Sequence, residues 1–285
     1  MRSLLFVPGD SAPKLAKATD LGADALIIDL EDSVTLERKS VARSQAAEFL
    51  HGATDRTALW VRINSLRSGE SALDLATIVP ARPAGIVLPK IYGPEDLETL
   101  SDDVQALEVA HDLPIGAISL LCLATETPSS VLRMGELIGR TYPRLVGLSW
   151  GAEDLSAALG AANPRTLTGE WRFTYQYART QCLLAAHALG VQAIDTVYVN
   201  FRDLDGLRQD CVAARLDGFT GCLAIHPDQV AVINELFAPT EADLAFARRL
   251  VAAFAGGAGT VSLDGRMYDA PHLRAAQRLL GAAAR

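Results

Sequence analysis

From its second residue to about residue 236 the sequence alternates between brief, uninterrupted apolar runs and longer amphipathic stretches. The runs cover residues 3–7, 25–30, 58–63, 85–88, 117–124, 144–150, 193–199 and 221–225. Each is short, rich in Val, Ile and Leu, and continuous rather than alternating, as strands buried on both faces of a parallel sheet read. Helical stretches fall between them, over residues 35–50, 94–110, 129–139, 171–189 and 204–216. Pro94 and Pro128 stand where a helix-opening proline belongs, and Gly190 where a closing glycine belongs. Eight strand–helix units predict a closed α/β TIM (β/α)₈ barrel rather than an open doubly wound sheet. The turn after the first run, Pro8-Gly9-Asp10-Ser11-Ala12-Pro13, lacks the glycines of a dinucleotide-binding loop.

The chain has 285 residues, and a barrel takes roughly 250. We therefore expect a barrel domain over 1–238 and a C-terminal helical arm over 239–285. The arm is a helix over 241–254, the break Gly256-Gly257-Ala258-Gly259, a further segment and a last helix. A glycine-rich hinge before an ordered segment suggests an arm that packs on a neighbouring subunit. The formal net charge of −8 argues against a nucleic-acid partner. Any polyanionic ligand must be held by a few well-placed cations. Cys122, Cys182, Cys211 and Cys222 lie in apolar surroundings without zinc-ligand spacing, and we read them as reduced core residues. The apolar run before Pro8 is too short for a signal peptide or a membrane span, so no membrane association and a cytoplasmic location are expected.

In a barrel of this kind function sits at the C-terminal ends of the strands. Those ends carry Asp29, Glu31 and Asp32; Arg62 and Asn64; Lys90; Glu126; Glu153 and Asp154; Asn200; and His226. Carboxylates on neighbouring strands without His or Cys companions suit Mg²⁺ or Mn²⁺, which keep several waters and chelate a substrate's own oxygens. Spacing alone leaves alternatives. Glu126 and Asp154 fit helix caps as well as metal ligands. Asp29 and Asp32 fit loop anchors with Arg62 as their counter-ion, and His226 fits a hydrogen-bonded scaffold residue better than a base. Lys90 as a Schiff-base amine is disfavoured, because surrounding carboxylates stabilise the unreactive ammonium.

With these residues in view the chain resembles the HpcH/HpaI aldolase/citrate lyase family, in its citrate lyase beta-subunit and malyl-CoA lyase branch. The resemblance runs through LFVPGD at 5–10, IDLED at 28–32, VRIN at 61–64, LPK at 88–90, TETP at 125–128 and GAEDL at 151–155. It continues in AIDTVY at 193–198, LAIHP at 223–227 and MYDAP at 267–271. It implies a Mg²⁺-dependent lyase that cleaves or forms a carbon–carbon bond in a 3-hydroxy acidic acyl-CoA thioester of the malyl, citramalyl or citryl type. The products are an acyl-CoA and a 2-oxo acid. By the same resemblance Glu126 and Asp154 bind the metal, and Glu31 and Asp32 orient the waters around it. Arg62 stabilises the thioester enolate, and Glu126 and Arg62 both meet the substrate. Asp269 acts as general acid–base in a neighbouring subunit's site, within a homotrimer or hexamer, and Lys17 contacts the CoA phosphates.

One position departs from the family pattern: an arginine that often follows the Pro-x-Asp turn is Ser11 here, with Lys14 as a possible substitute. Other outcomes compatible with the residues are a CoA-independent 2-keto-4-hydroxy acid aldolase, a beta subunit acting only within a carrier-protein-dependent citrate lyase complex, and a thioesterase. Residues 65–71 and 161–168 are expected to line the substrate pocket.

Overall fold

The computed structural model describes residues 1–283 apart from Thr57 and Ala258. The first half of the barrel comprises β1 (Ser3–Pro8), α1 (Ala12–Ala18), β2 (Ala25–Asp29), α2 (Lys39–Gly52), β3 (Leu59–Arg62), α3 (Ser71–Ile78), β4 (Gly85–Leu88) and α4 (Pro94–Ala110). The second half comprises β5 (Ser119–Leu123), α5 (Pro128–Leu132), β6 (Leu145–Ser149), α6 (Ala152–Leu159), α7 (Phe173–Leu189), β7 (Gln192–Asp195), α8 (Leu204–Asp217), β8 (Gly221–Ala224) and α9 (Pro227–Phe237). The eight strands pair in chain order, all parallel, and β1 closes on β8 through Ser3↔Cys222, Leu4↔Leu223 and Leu5↔Ala224. This is the expected TIM barrel.

Every residue of β2 and of β4 is buried, one face against the barrel interior and the other against helices. The interior is filled by Leu4, Ala25, Ile27, Trp60, Val87, Leu121, Leu123, Ile194 and Leu223. Trp60 and Gly85 are register partners, and a Cβ on Gly85 would stand 2.2 Å from the indole, so the glycine makes room for the largest side chain of the core. The two-residue strand period carries Ala25 and Ile27 on to Asp29, and Trp60 on to Arg62. Asp29 and Arg62 are themselves register partners. The apolar interior therefore ends, at the C-terminal mouth, in a facing acid and base.

Two elements depart from expectation. The seventh strand stops at Asp195 rather than running to residue 199. The Asp195 carboxylate accepts the Thr196 N–H (2.9 Å) and the Trp150 indole N–H, and it pairs with Arg179, which draws the chain out of the ladder. Asn200 is consequently an exposed loop residue, not a strand end. The helix expected over 129–139 is α5 followed by a separate 3₁₀ turn, Met134–Leu137, because Arg133 (φ −104°, ψ 8°) leaves the helical region. Elsewhere the end signals hold: Gly190 closes α7 in the left-handed conformation (φ 71°) that favours glycine.

The chain divides into two compact units, Met1–Glu235 and Leu236–Arg285. The second contains α10 (Glu241–Ala253), opened by a Thr240/Asp243 capping box, then β9 (Thr260–Leu263), β10 (Arg266–Asp269) and α11 (Ala270–Ala283). The expected helical arm thus also holds a β-hairpin. Its two-residue turn, Asp264-Gly265, has positive φ at both positions (50° and 75°), as a tight hairpin requires. Ala247, Leu250, Phe254 and Ala276 form its core. Among the described residues no helix is long and apolar enough to cross a membrane.

Candidate active site at the mouth of the barrel

Arg62, at the end of β3, is largely buried beneath a set of carboxylates. Its Nε and Nη2 each donate to Asp29 at 2.7 Å, a bidentate pair. Its Nη1 lies 3.1 Å from Glu31 Oε2 and 4.0 Å from Asp32 Oδ2, and its guanidinium stacks 4.7 Å above the Phe6 ring. Burial alone would raise the Asp29 carboxyl, but Arg62 and the N–H groups of Glu31 and Ser33 hold it at about 2. Arg62 stays charged, since the same carboxylates outweigh its loss of water. The guanidinium is therefore fixed in place by its two hydrogen bonds to Asp29.

Lys90 follows β4 with φ 52°, a left-handed backbone that turns its N–H onto Glu126 Oε2 at 2.6 Å. Its ammonium reaches Glu31 Oε1 at 2.9 Å, both Asp32 oxygens at 2.8 Å and Asp154 Oδ1 at 3.2 Å. Partial burial acts to lower its pKa, but Glu31, Asp32 and Asp154 raise it further, so the amine is protonated and unavailable as a Schiff-base nucleophile. Residues from five successive strands thus meet: Asp29 at the end of β2 with Glu31 and Asp32 just beyond it, Arg62, Lys90, Glu126 and Asp154.

Glu126 is 3% exposed. Burial, with Asp154 and Glu31 beside it, pushes its carboxyl well above the usual range despite Arg62 and the Lys90 N–H. It is not the cap of α5; Thr127 is, accepting the Ser130 N–H at 3.1 Å. Gly151 opens α6 against it, and a Cβ there would stand 2.5 Å from Glu126 Cγ. Glu31 is likewise raised, to about 7, by burial and by Asp32, with Arg62 and Lys90 opposing. Its buried Oε2 has Arg62 at ion-pair distance but no hydrogen bond of good geometry.

Five carboxylates against two cations, with one orphaned oxygen and two raised acids, form a site that a divalent ion would relieve. Among the described residues no group of three or more His, Cys, Asp and Glu side chains is arranged to hold a metal ion by itself. Mg²⁺ does not need one, because it binds through one or two carboxylates and fills its octahedron with water and substrate oxygens. Glu126 and Asp154, on adjacent strand ends, fit that donor set, with Glu31 and Asp32 around it.

The remaining expected residues lie elsewhere. Lys17 is exposed in the last turn of α1. Ser11 heads that helix without a side-chain cap bond, and Arg38 donates to Asp10 Oδ2 (2.6 Å) and Asp10 O (3.1 Å), setting beside Ser11 a cation that sequence reasoning passed over. Asp269 belongs to the second unit, half-exposed, with His272 Nδ1 at 2.6 Å. His226 is a scaffold residue: its Nδ1 accepts the Asp228 N–H at 3.3 Å, and its ring stacks on Phe201. Asn64 is tied to Asp74 and to Leu30 O. Of the two expected pocket segments, Arg67 stacks on Tyr92 and pairs with Asp96. Arg165 and Thr168 instead line a groove of about 740 Å³ between α7 and α8 that includes no residue of the carboxylate cluster.

The chain belongs to the HpcH/HpaI aldolase/citrate lyase family, whose model matches residues 2–227. It is 35% identical to mitochondrial citramalyl-CoA lyase of Rattus norvegicus, over 98% of this chain and 85% of that protein. It is 33% identical to (3S)-malyl-CoA thioesterase of Cereibacter sphaeroides, over 99% and 94%. Among solved structures it is similar to the protein CitE from Mycobacterium tuberculosis in complex with magnesium, acetoacetate and coenzyme A. There the TM-score is 0.80 with 31% identity, covering 100% of this chain and 98% of that one.

Proposed function

We propose that this chain is a Mg²⁺-dependent carbon–carbon lyase acting on a 3-hydroxy acidic acyl-CoA thioester of the malyl, citramalyl or citryl type, giving an acyl-CoA and a 2-oxo acid. The carrying observation is the pairing, at one barrel mouth, of Glu126 and Asp154 with a guanidinium clamped by Asp29. Such a cleavage needs an electrophilic half held by its oxygens and an enolate stabilised as its charge develops. Mg²⁺ (or Mn²⁺), when bound, supplies chelation of the substrate's hydroxyl and carboxylate and Lewis-acid polarisation. Glu126 and Asp154 hold it, while Glu31 and Asp32 order the water around it. Arg62 meets the thioester oxygen with a cation that needs no reorganisation, the condition under which such stabilisation is strongest.

Lys17, with Arg38 in the place of the missing arginine, holds the CoA phosphates. Asp269 exchanges a proton with the enolate carbon. Because it belongs to the arm, residues 239–285, we infer a homo-oligomer, a trimer or hexamer, in which one protomer's arm serves another's barrel. Four free, buried cysteines fit a reducing compartment, and we place the protein in the cytoplasm. Hydrolysis of the thioester is the second reading, favoured by the likeness to a malyl-CoA thioesterase.

The metal test is direct. Chelator should abolish turnover and Mg²⁺ or Mn²⁺ restore it, with Glu126→Gln and Asp154→Asn folded but inactive; full turnover in chelator with metal shown to be absent contradicts the reading.

A further inference from the structure

Asp269 is the last residue of β10, and His272 is the third residue of α11. Pro271 lies between them and pre-sets the first helical turn, on which side chains three apart meet. The imidazole Nδ1 stands 2.6 Å from Asp269 Oδ1 and 3.3 Å from the Asp269 backbone N. The Tyr268 and His272 rings meet in a T-shaped arrangement with centroids 5.2 Å apart, and Phe246 backs Tyr268 at 5.5 Å, so the imidazole is seated on one side while the pair stays open to solvent. Tyr268 is the titratable group packed on His272. Arg249, which faces Tyr268 from α10, is engaged by Asp264 at 2.7 Å.

We propose that His272 is the positioning residue of Asp269: it holds the carboxylate in one orientation and shares with it the proton that Asp269 exchanges with the enolate carbon. The inference rests on the reading of Asp269 as the acid–base group. In cleavage the carbon–carbon bond breaks and leaves its electron pair on the enolate, and the substrate hydroxyl gives its proton to solvent. The Asp269 carboxyl then gives a proton to the enolate carbon and becomes a carboxylate. Water then returns a proton to the Asp269 carboxylate by way of the His272 imidazole. A helix-capping role alone would put the imidazole closest to the backbone N–H. The shorter contact is to the carboxylate, which favours the pair.

The test uses the full-length oligomer, His272→Gln, which keeps an N3 side chain able to accept the Asp269 N–H but does not titrate, and Asp269→Asn. With the thioester that the wild type turns over, His272→Gln should leave KM within about two-fold and lower kcat about ten-fold or more, a fraction of what positioned acid–base groups contribute. Its kcat–pH profile should lose one ionisation. Because the imidazole acts only through that carboxylate, Asp269→Asn combined with His272→Gln should be no slower than Asp269→Asn alone. Wild-type kcat and pH profile in His272→Gln would reduce His272 to a cap and overturn the proposal, as would a double variant slower than Asp269→Asn alone. A wild type inert on every thioester would instead refute the proposed function, and the proton role would fall with it.

Discussion

Gly151→Ala should damage the site through one atom. The Gly151 backbone (φ −122°, ψ 105°) is one that alanine adopts without strain, so the effect comes from contact alone. The new Cβ would stand 2.5 Å from Glu126 Cγ, whereas ordinary Cβ contacts begin at 3.4 Å. Glu126 must therefore shift by roughly 0.9 Å, and a misplacement of about 1 Å at a reacting centre costs on the order of 10²-fold in rate. Overpacking of this kind also costs about 1–3 kcal/mol of stability. Initial rates measured across a Mg²⁺ titration should show kcat reduced on that scale and more Mg²⁺ required for half-saturation. Since the lesion acts only through Glu126, Gly151→Ala combined with Glu126→Gln should be no worse than Glu126→Gln alone. A folded Gly151→Ala enzyme with unchanged kcat and Mg²⁺ dependence, or an additive double variant, would refute the reasoning.

Two further outcomes follow from the charged residues. Asp29 has its pKa lowered from 3.8 to about 2 in the folded protein, so the stability its ionised form adds is present above pH 3.8 and lost as pH falls through about 2. The stability gap between wild type and Asp29→Asn, from urea unfolding, should accordingly shrink on the order of 2 kcal/mol on acidification across that window; a constant gap would show the carboxylate is not stabilised by folding. In the second, Arg62→Ala and Asp269→Ala are each expected to be nearly inactive, and co-refolding equal amounts should restore activity to about a quarter of sites if arms serve neighbouring barrels. No rescue would place each arm on its own barrel.

The barrel was legible because parallel strands bury both faces, so β2 and β4 read as unbroken apolar runs with nothing to confuse them. The seventh strand was overrun because what ends it, the grip of Trp150 and Arg179 on Asp195, joins residues far apart in sequence. The hairpin of the arm was missed although Asp264-Gly265 is a turn signal, since strands of four residues carry little pattern to set beside it. At the mouth, the residue types and their strand ends were readable, but whether Glu126 caps the following helix was not, because that turns on Thr127 taking the cap instead. Lys90 was read as an ammonium kept protonated by surrounding carboxylates, without the identity of those carboxylates. Its role as counter-ion depends on β2, β4 and β6 converging around one ammonium, which no local window contains.

The most direct measurement incubates the isolated protein with malyl-, citramalyl- and citryl-CoA in Mg²⁺ and quantifies 2-oxo acid, shortened acyl-CoA and free CoA in the same samples. The account predicts that one of these thioesters yields 2-oxo acid and acyl-CoA in equal amounts, with free CoA absent at early times, and that Arg62→Ala yields neither. Free CoA released with the acid's carbon skeleton intact, or no turnover of any of the three, would contradict it.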